Sequence, residues 1–266
     1  MAFNADAIRK KLADLSGKNS KKNTMWRPEE GKTYTVRFLP LEGSSDGSGL
    51  RDLWFYYGIG NNSGLLAPYQ FGKPDPFQEL ITKLRADDNK DSYELAKKLY
   101  PKMRAFGAVV VRGEEDKGVR IWSFGKTVMQ DLYNIMLDAD YGDIMDLKKG
   151  YDIKVTCEKQ AGKQFADTAV RPRPNPSPLH EDVSKAKEWL SSVPSLDDVY
   201  SQKSYDELLK ILNDWINPGS SNETSGTSRG TSSLSLDDDD APTPSRSSAT
   251  TSSKKLDDAF ADLDDL

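Results

Sequence analysis

Cysteine and histidine are almost absent from this sequence, which contains one residue of each type, Cys157 and His180. One cysteine cannot form a disulfide within the chain, and such a composition suits a reducing compartment. A structural zinc site takes four protein ligands, so a Cys/His zinc site cannot be built from one residue of each type. We therefore expect no metal site and no cofactor.

Long apolar runs are also missing. No stretch approaches the roughly eighteen apolar residues that a membrane-spanning helix requires. The N-terminal stretch "MAFNADAIRKKLADLSGK" has no apolar core of the kind found in secretory signals. We therefore expect neither a membrane partner nor export.

Charge is distributed unevenly along the chain. The overall charge is -5, yet residues 1–24 carry +4 and residues 219–266 carry -6. Opposite charge blocks at the two ends are typical of interaction arms. The C-terminal block is also rich in Ser, Thr, Gly and Asp, a composition typical of disorder. The sequence thus predicts a basic N-terminal arm over 1–24, a core over 25–218 and an acidic tail over 219–266.

The tail ends in "LDDAFADLDDL", which is both acidic and regularly apolar. Leu256, Phe260 and Leu263 lie four and three residues apart, so a helix would place them on one face. Such a face fits the groove of a partner protein. The acidic residues around it can also compete with a polyanion for a basic surface, and a merely solubilising tail is the alternative.

Short alternating segments dominate the predicted core. Strands are predicted in "KTYTVRFLP", "LWFYYGIG", "AFGAVVVR", "VRIWSFGK", "YDIKVTCE" and "QFADTAVR". Helices are predicted over 76–103 with a break at "RADDNKDS", over 128–137, over 179–191 and from Ser204 to about Ile216. The segment "RPRPNPSP" is predicted to be extended. These elements indicate a mainly β fold with helical insertions, an α+β protein. An oligonucleotide-binding barrel is the favoured architecture, and a mixed sheet is the alternative.

The stretch 93–126 combines cations with aromatic side chains. Between Lys97 and Lys126 there are eight bases and three acids. Cations that follow phosphates and rings that stack on bases are typical of single-strand binding. The candidate residues of this stretch are Tyr93, Lys97, Lys98, Tyr100, Lys102, Arg104, Phe106, Arg120, Trp122 and Lys126.

Strand alternation places Arg120, Trp122 and Phe124 on one face of "VRIWSFGK". An arginine beside two rings is difficult to explain as core alone, so we expect this face to contact the ligand. The alternative is that both rings belong to the core and that the bases form a solvated face.

The sequence contains no arrangement typical of an enzyme, and we expect none. Aspartates in "PDPFQE" and "RADDNKD" allow one alternative, a metal-dependent nuclease that uses Asp75, or Asp87, Asp88 and Asp91. A second alternative is a protein-docking scaffold.

Several segments resemble the single-stranded DNA-binding proteins of T-even-type bacteriophages, which are helix-destabilising replication proteins. The matching segments are "VRFLP" (36–40), "DPFQELITK" (75–83), "NKDSYELAKK" (89–98), "VRIWSFGK" (119–126), "KSYDELL" (203–209) and the "DDLDDL"-like end. Their order is shared over most of residues 25–216.

The resemblance implies an oligonucleotide-binding core that holds single strands regardless of sequence, in the cytoplasm of an infected bacterium. It implies strand-contacting roles for Arg37, Tyr93, Lys97, Lys98, Trp122 and Lys126, and less directly for Lys102, Arg104 and Phe106. The basic arm would contact a neighbouring copy, with "IRKKL" and "SKKNT" both candidate segments (Arg9, Lys10, Lys11, Lys21 and Lys22). The acidic tail would recruit replication, recombination and repair proteins.

The chain departs from this family at its zinc site. The type member of the family holds structural zinc through one His and three Cys, two of them in a Cys-Pro-x-Cys segment. Here the matching segment is "DPFQ", with Asp75 and Gln78 at the ligand positions. We therefore predict that this chain has no structural zinc.

Overall fold

The computed structural model describes residues 24–87, 89–159, 162 and 166–217. The predicted arm, apart from Thr24, and the whole predicted tail lie outside the described residues. The described part of the chain divides into two compact units. The first comprises the described residues up to Leu53 together with Met103–Tyr200, and the second comprises Trp54–Lys102 and the described residues from Ser201 onward.

Eight strands and six helices make the described part a mixed α+β protein, as expected. The strands are β1 Met25–Trp26, β2 Thr33–Leu39, β3 Arg51–Tyr56, β4 Leu65–Leu66, β5 Lys102–Val111, β6 Arg120–Phe124, β7 Asp152–Glu158 and β8 Asp167–Pro172. The helices are α1 Pro76–Ala86, α2 Lys90–Leu99, α3 Lys126–Leu137, α4 Val183–Ser191, α5 Leu196–Val199 and α6 Tyr205–Ile216. Short 3₁₀ turns occur at Pro68–Phe71 and Glu115–Lys117.

The main path of the sheet follows the order β1-β6-β5-β2-β7-β8. The pairing of β1 with β6 is parallel, and the other pairings along the path are antiparallel. Strand β3 pairs with β5 and, as a hairpin, with β4. Within the described residues the two ends of the path do not pair with each other, so the sheet is open and no closed barrel is formed.

Alternation along the strands produces the core of the first unit. In β7 the side chains of Ile153, Val155 and Cys157 are buried, as their spacing predicts, while Lys154 and Glu158 are exposed. Strand β5 behaves differently, because every residue from Ala105 to Val111 is buried. A strand buried on both faces loses the alternation that sequence analysis relies on.

A glycine in β5 makes room for the largest rings of this core. Gly107 lies opposite Trp122 in the register of β5 with β6. A Cβ atom at Gly107 would lie 2.6 Å from the nearest ring carbon of Phe38. The ring of Phe38 in turn lies 5.9 Å from that of Trp122. A side chain at position 107 would therefore displace the aromatic centre of the unit.

The second unit has a core of its own. Helices α1, α2 and α6 bury Leu80, Ile81, Ala96, Leu99, Leu208 and Leu212 in one cluster with residues of the β3–β4 hairpin. Helix α6 begins at Ser204, which forms the predicted capping box with Glu207. The predicted break in the helical segment 76–103 is confirmed, because α1 ends at Ala86 and α2 begins at Lys90.

The two-residue strands β1 and β4 and the four-residue helix α5 were not predicted from the sequence. Each is too short to generate a recognisable periodicity. Within the described ranges 24–87, 89–159 and 166–217, no helix has both the length and the apolar character needed to cross a bilayer.

Candidate nucleic-acid interface

Helix α2 exposes a basic and aromatic face. Ala96 and Leu99 on its inner side are buried in the core of the second unit, which fixes the orientation of the helix. On its outer side Tyr93 is 56% exposed, and Lys97, one turn further along, is also exposed. Residues four apart are neighbours on a helix surface, so this ring and this cation lie side by side.

Three more residues with a predicted role in DNA binding, Lys98, Tyr100 and Lys102, lie at and just after the end of this helix. Lys98 is exposed next to Lys97, and cations in the last turn interact favourably with the helix dipole. Tyr100 caps the helix and is 38% exposed, and Lys102 is half-buried at the start of β5. We call the side chains of Tyr93, Lys97, Lys98, Tyr100 and Lys102 the α2 face. This face combines accessible rings with accessible cations.

Two of the predicted cations, Arg104 and Lys126, belong to the first unit. Lys126 is exposed at the first residue of α3. Arg104 is half-buried, and its Nε–H donates a hydrogen bond of 3.0 Å to Ser123 Oγ. This bond holds the guanidinium of Arg104 across two neighbouring strands.

The prediction that one face of β6 is exposed and contacts the ligand is wrong. Trp122 is 2% exposed and Phe124 is 3% exposed. The Trp122 ring contacts Trp26 edge-on at 5.3 Å and lies 4.9 Å from Phe124. The alternation of Arg120, Trp122 and Phe124 is real, but the face that they share is the core.

Phe106 and Arg120 are buried as well. Phe106 is fully buried, and its ring lies 5.3 Å from that of Tyr200. Arg120 is 7% exposed and donates through Nη2 to Glu114 Oε2 at 2.6 Å. The hydrogen bond from Arg120 lowers the pKa of Glu114. Buried side chains have no surface to offer to a nucleotide, so we assign both residues to the structural core.

Arg37 is also fully buried, contrary to the expected strand-contacting role. Its Nη2 donates to the carbonyl oxygens of Asp146 at 2.7 Å and Ser177 at 2.8 Å. Its Nη1 lies 3.6 Å from Asp152 Oδ1. Burial lowers the pKa of Arg37, and the charge of Asp152 opposes this shift. Arg37 therefore fixes the path of the chain through Asp146 and Ser177.

The extended segment "RPRPNPSP" is held by a second arginine that sequence analysis did not single out. Arg112 donates to both carboxylate oxygens of Asp152 and to the carbonyl oxygens of Pro178 and Leu179. These partners lie 40 to 67 residues from Arg112 in sequence. No local pattern could have indicated this role.

Asp75, which stands where the resemblance places a zinc ligand, is committed to hydrogen bonds within the protein. Asp75 is the N-cap of α1, and its Oδ1 accepts from the backbone N–H groups of Phe77 at 3.0 Å and Gln78 at 3.4 Å. Its Oδ2 accepts from the Tyr56 hydroxyl at 2.8 Å and from the Tyr69 N–H at 3.3 Å. Burial raises the pKa of Asp75, and these hydrogen bonds oppose that shift. Both oxygens are thus occupied by donors of the protein itself.

The described aspartates of the nuclease alternative, Asp75, Asp87 and Asp91, do not form a metal-binding group. Asp87 accepts from the Ser92 hydroxyl at 2.6 Å, and Asp91 lies in the first turn of α2. Asp88 lies outside the described residues. Across the described ranges, no group of three His, Cys, Asp or Glu side chains is arranged to hold a metal ion.

Comparison with known proteins identifies the class of this molecule. Residues 11–216 match the model of a family described as gp32 DNA binding protein like. No curated protein matches the chain. The match covers well over half of the chain. The chain belongs to the gp32-like family of DNA-binding proteins, which confirms the resemblance drawn from its motifs.

Two aromatic residues of the candidate set should respond differently to truncation. We expect Trp122→Ala to lower the free energy of unfolding by about 3–5 kcal/mol, because a buried ring is lost from the core. We expect Tyr93→Ala to leave stability nearly unchanged and to weaken single-strand binding by about 1–3 kcal/mol, the range for one stacked base. Urea denaturation and fluorescence anisotropy with labelled oligo(dT), applied to both variants, provide the measurements. A stable Trp122→Ala protein with weakened DNA binding would contradict this assignment.

The Asp75 cluster gives a second prediction. Asp75→Ala removes a helix cap and leaves the Tyr56 hydroxyl without its partner, so we expect a loss of about 2–4 kcal/mol in stability. Asp75→Asn keeps one acceptor oxygen for the helix N-terminus and should cost less. Urea denaturation measures both losses, and a chelator should leave the melting temperature of the wild-type protein unchanged. Stoichiometric zinc in the purified protein, together with a chelator-sensitive melting temperature, would refute the prediction.

Proposed function

We propose that this protein is a sequence-independent, cooperative single-stranded DNA-binding protein that coats unwound DNA and destabilises the duplex. It would act in replication, recombination and repair in the cytoplasm of a phage-infected bacterium. Membership of a DNA-binding family supports the ligand class. The observation that carries the proposal is the α2 face, where Tyr93 is more than half exposed beside Lys97 and Lys98.

The preference for single strands follows from the exposed rings. Tyr93 and Tyr100 have accessible faces that a base can stack on only when it is free of its own neighbours. Stacking accepts every base, because each has a π-face, so this contact carries little sequence information. The cations Lys97, Lys98, Lys102, Arg104 and Lys126 would neutralise phosphates.

We also propose that the first unit is an oligonucleotide-binding fold. Five of its strands run in the order β6-β5-β2-β7-β8, and helix α3 connects β6 to β7. Five strands of a partly open barrel are typical of that fold, in which one sheet face and its loops bind oligonucleotides. The open strand order is compatible with this architecture.

The two charged ends would have different roles. The basic arm over 1–24, through Arg9, Lys10 and Lys11 or through Lys21 and Lys22, would contact a neighbouring copy on the same strand. The acidic tail over 219–266 would recruit partner proteins through Leu256, Phe260 and Leu263. These roles rest on the family resemblance and on the charge of the two segments.

The absence of structural zinc is part of the same proposal. In the second unit, Asp75 joins the β3–β4 hairpin, the turn at Tyr69 and the start of α1 through hydrogen bonds. The Tyr56 and Phe77 rings stack at 4.5 Å beside it. We infer that this polar and aromatic cluster holds these segments together in place of a structural metal ion.

Neutralising the α2 face should reduce both affinity and salt dependence. For Lys97→Gln/Lys98→Gln we expect weaker binding of oligo(dT) and a log–log salt slope that is less steep by about 1.4, since each neutralised phosphate contributes about 0.7. Anisotropy titrations at several salt concentrations give both quantities.

The matched control is Lys148→Gln/Lys149→Gln, which removes the same charge from two exposed lysines of a loop. It should bind like the wild-type protein. A wild-type protein whose affinity is insensitive to salt, or equal for duplex and single strands, would overturn the proposed function.

Deletion of each end should change DNA binding in its own way. Removal of residues 1–24 should lower affinity for long strands, where copies are neighbours, and leave short oligonucleotides nearly unaffected. Removal of residues 219–266 takes away a charge of -6 that competes with phosphate, so affinity should rise, most clearly at low salt. Titrations with one short and one long oligo(dT) provide the comparison. A tail deletion that weakens DNA binding would contradict this scheme.

A further inference from the structure

The solvent-facing side of strands β2, β7 and β8 has an unusual charge arrangement. Lys154 of β7 lies directly opposite Arg171 of β8, and both side chains are exposed. Like charges placed directly opposite each other destabilise a sheet. Within the described part of the chain, neither side chain forms an ion pair with an acid that would offset this cost.

The residues around this pair are small and hydroxylic. Thr35 of β2 lies opposite Lys154, and one pair further along Thr33 lies opposite Thr156. The Thr33 and Thr156 hydroxyls are 3.5 Å apart. Ala169 completes this row opposite Thr156. The face therefore carries two cations and a row of hydroxyl donors, with no exposed large apolar side chain among them.

The acids of the same sheet face lie at its ends. Asp152 is bound by Arg112 at one end, and Glu158 lies opposite Asp167 at the other. The middle of the face is left with the charge of Lys154 and Arg171. Cations and threonine hydroxyls that fix a backbone without reading bases are the groups that contact phosphates in DNA complexes.

We propose that this face, defined by Thr33, Thr35, Lys154, Thr156 and Arg171, is a second contact for the phosphate backbone of single-stranded DNA. The inference rests on the proposed function and adds a site outside the basic and aromatic stretch 93–126. The acidic tail is the other anion available, but its Leu and Phe side chains would find no apolar partner on this surface. The phosphate backbone of DNA needs no apolar partner and can bind to cations and hydroxyl groups alone.

The test replaces both cations with threonine, the residue already present at neighbouring positions of this face. For Lys154→Thr/Arg171→Thr in the full-length protein, we expect lower affinity for oligo(dT) and a salt slope less steep by about 1.4. We expect the melting temperature to be unchanged or higher, because the like-charge pair is gone. If the substitutions weakened binding only because they damaged the fold, the melting temperature would fall.

Two reference variants separate the possible failures. Lys148→Gln/Lys149→Gln controls for the loss of two charges, and Lys97→Gln/Lys98→Gln reports on the α2 face. If the α2 variant weakens binding while the sheet-face variant matches the loop control, the second contact is refuted and the proposed function stands. If the sheet-face variant binds DNA more tightly, the inference is also overturned, and the ligand of this face is the acidic tail. If wild-type protein fails to bind oligo(dT), both proposals fail.

Discussion

The burial of β5 on both of its faces is the constraint on which the first unit depends. From Ala105 to Val111 no side chain reaches solvent, so each face of the strand must be covered by other parts of the chain. One face packs against the rings of Phe38, Trp122 and Phe124. On the other, Phe106 lies against Tyr200, and the neighbouring Arg37 is covered by the segment around Ser177. Three rings of this core, Phe106, Trp122 and Phe124, belong to the stretch 93–126. They are among the aromatic residues that made this stretch resemble a binding surface.

Sequence patterns predicted the long elements well and the exposure of their side chains poorly. The alternation in β7, the break between α1 and α2 and the capping box at Ser204 each depend on residues close together in sequence, and each is present. The burial of Trp122 depends on Trp26 and Phe38, which are distant in sequence. Periodicity identified the face that Trp122 shares with Phe124, but only tertiary packing decides whether such a face meets core or solvent.

The buried and the exposed basic residues named here differ for a physical reason. The arginines Arg37, Arg112 and Arg120 are buried or half-buried and bind carbonyl or carboxylate oxygens, which the planar guanidinium can do through several N–H groups at once. The lysines Lys97, Lys98 and Lys126 remain exposed. A flexible, strongly hydrated ammonium suits a transient contact with a moving phosphate chain. Counting bases along the sequence combined these two populations, and the structure separates them.

The second unit is assembled from two stretches of chain, Trp54–Lys102 and a segment that starts at Ser201. Helix α6 of the later segment contributes Leu208 and Leu212 to the core, and its Tyr205 hydroxyl donates to Glu79 of α1 at 2.8 Å. During synthesis, helices α1 and α2 therefore emerge from the ribosome long before the helix that completes their core. At about 5–20 residues per second, the roughly 100 intervening residues impose a delay of about 5–20 s. The apolar sides of α1 and α2 are therefore available to chaperones during that interval, while the later part of the first unit, Met103–Tyr200, is still being made.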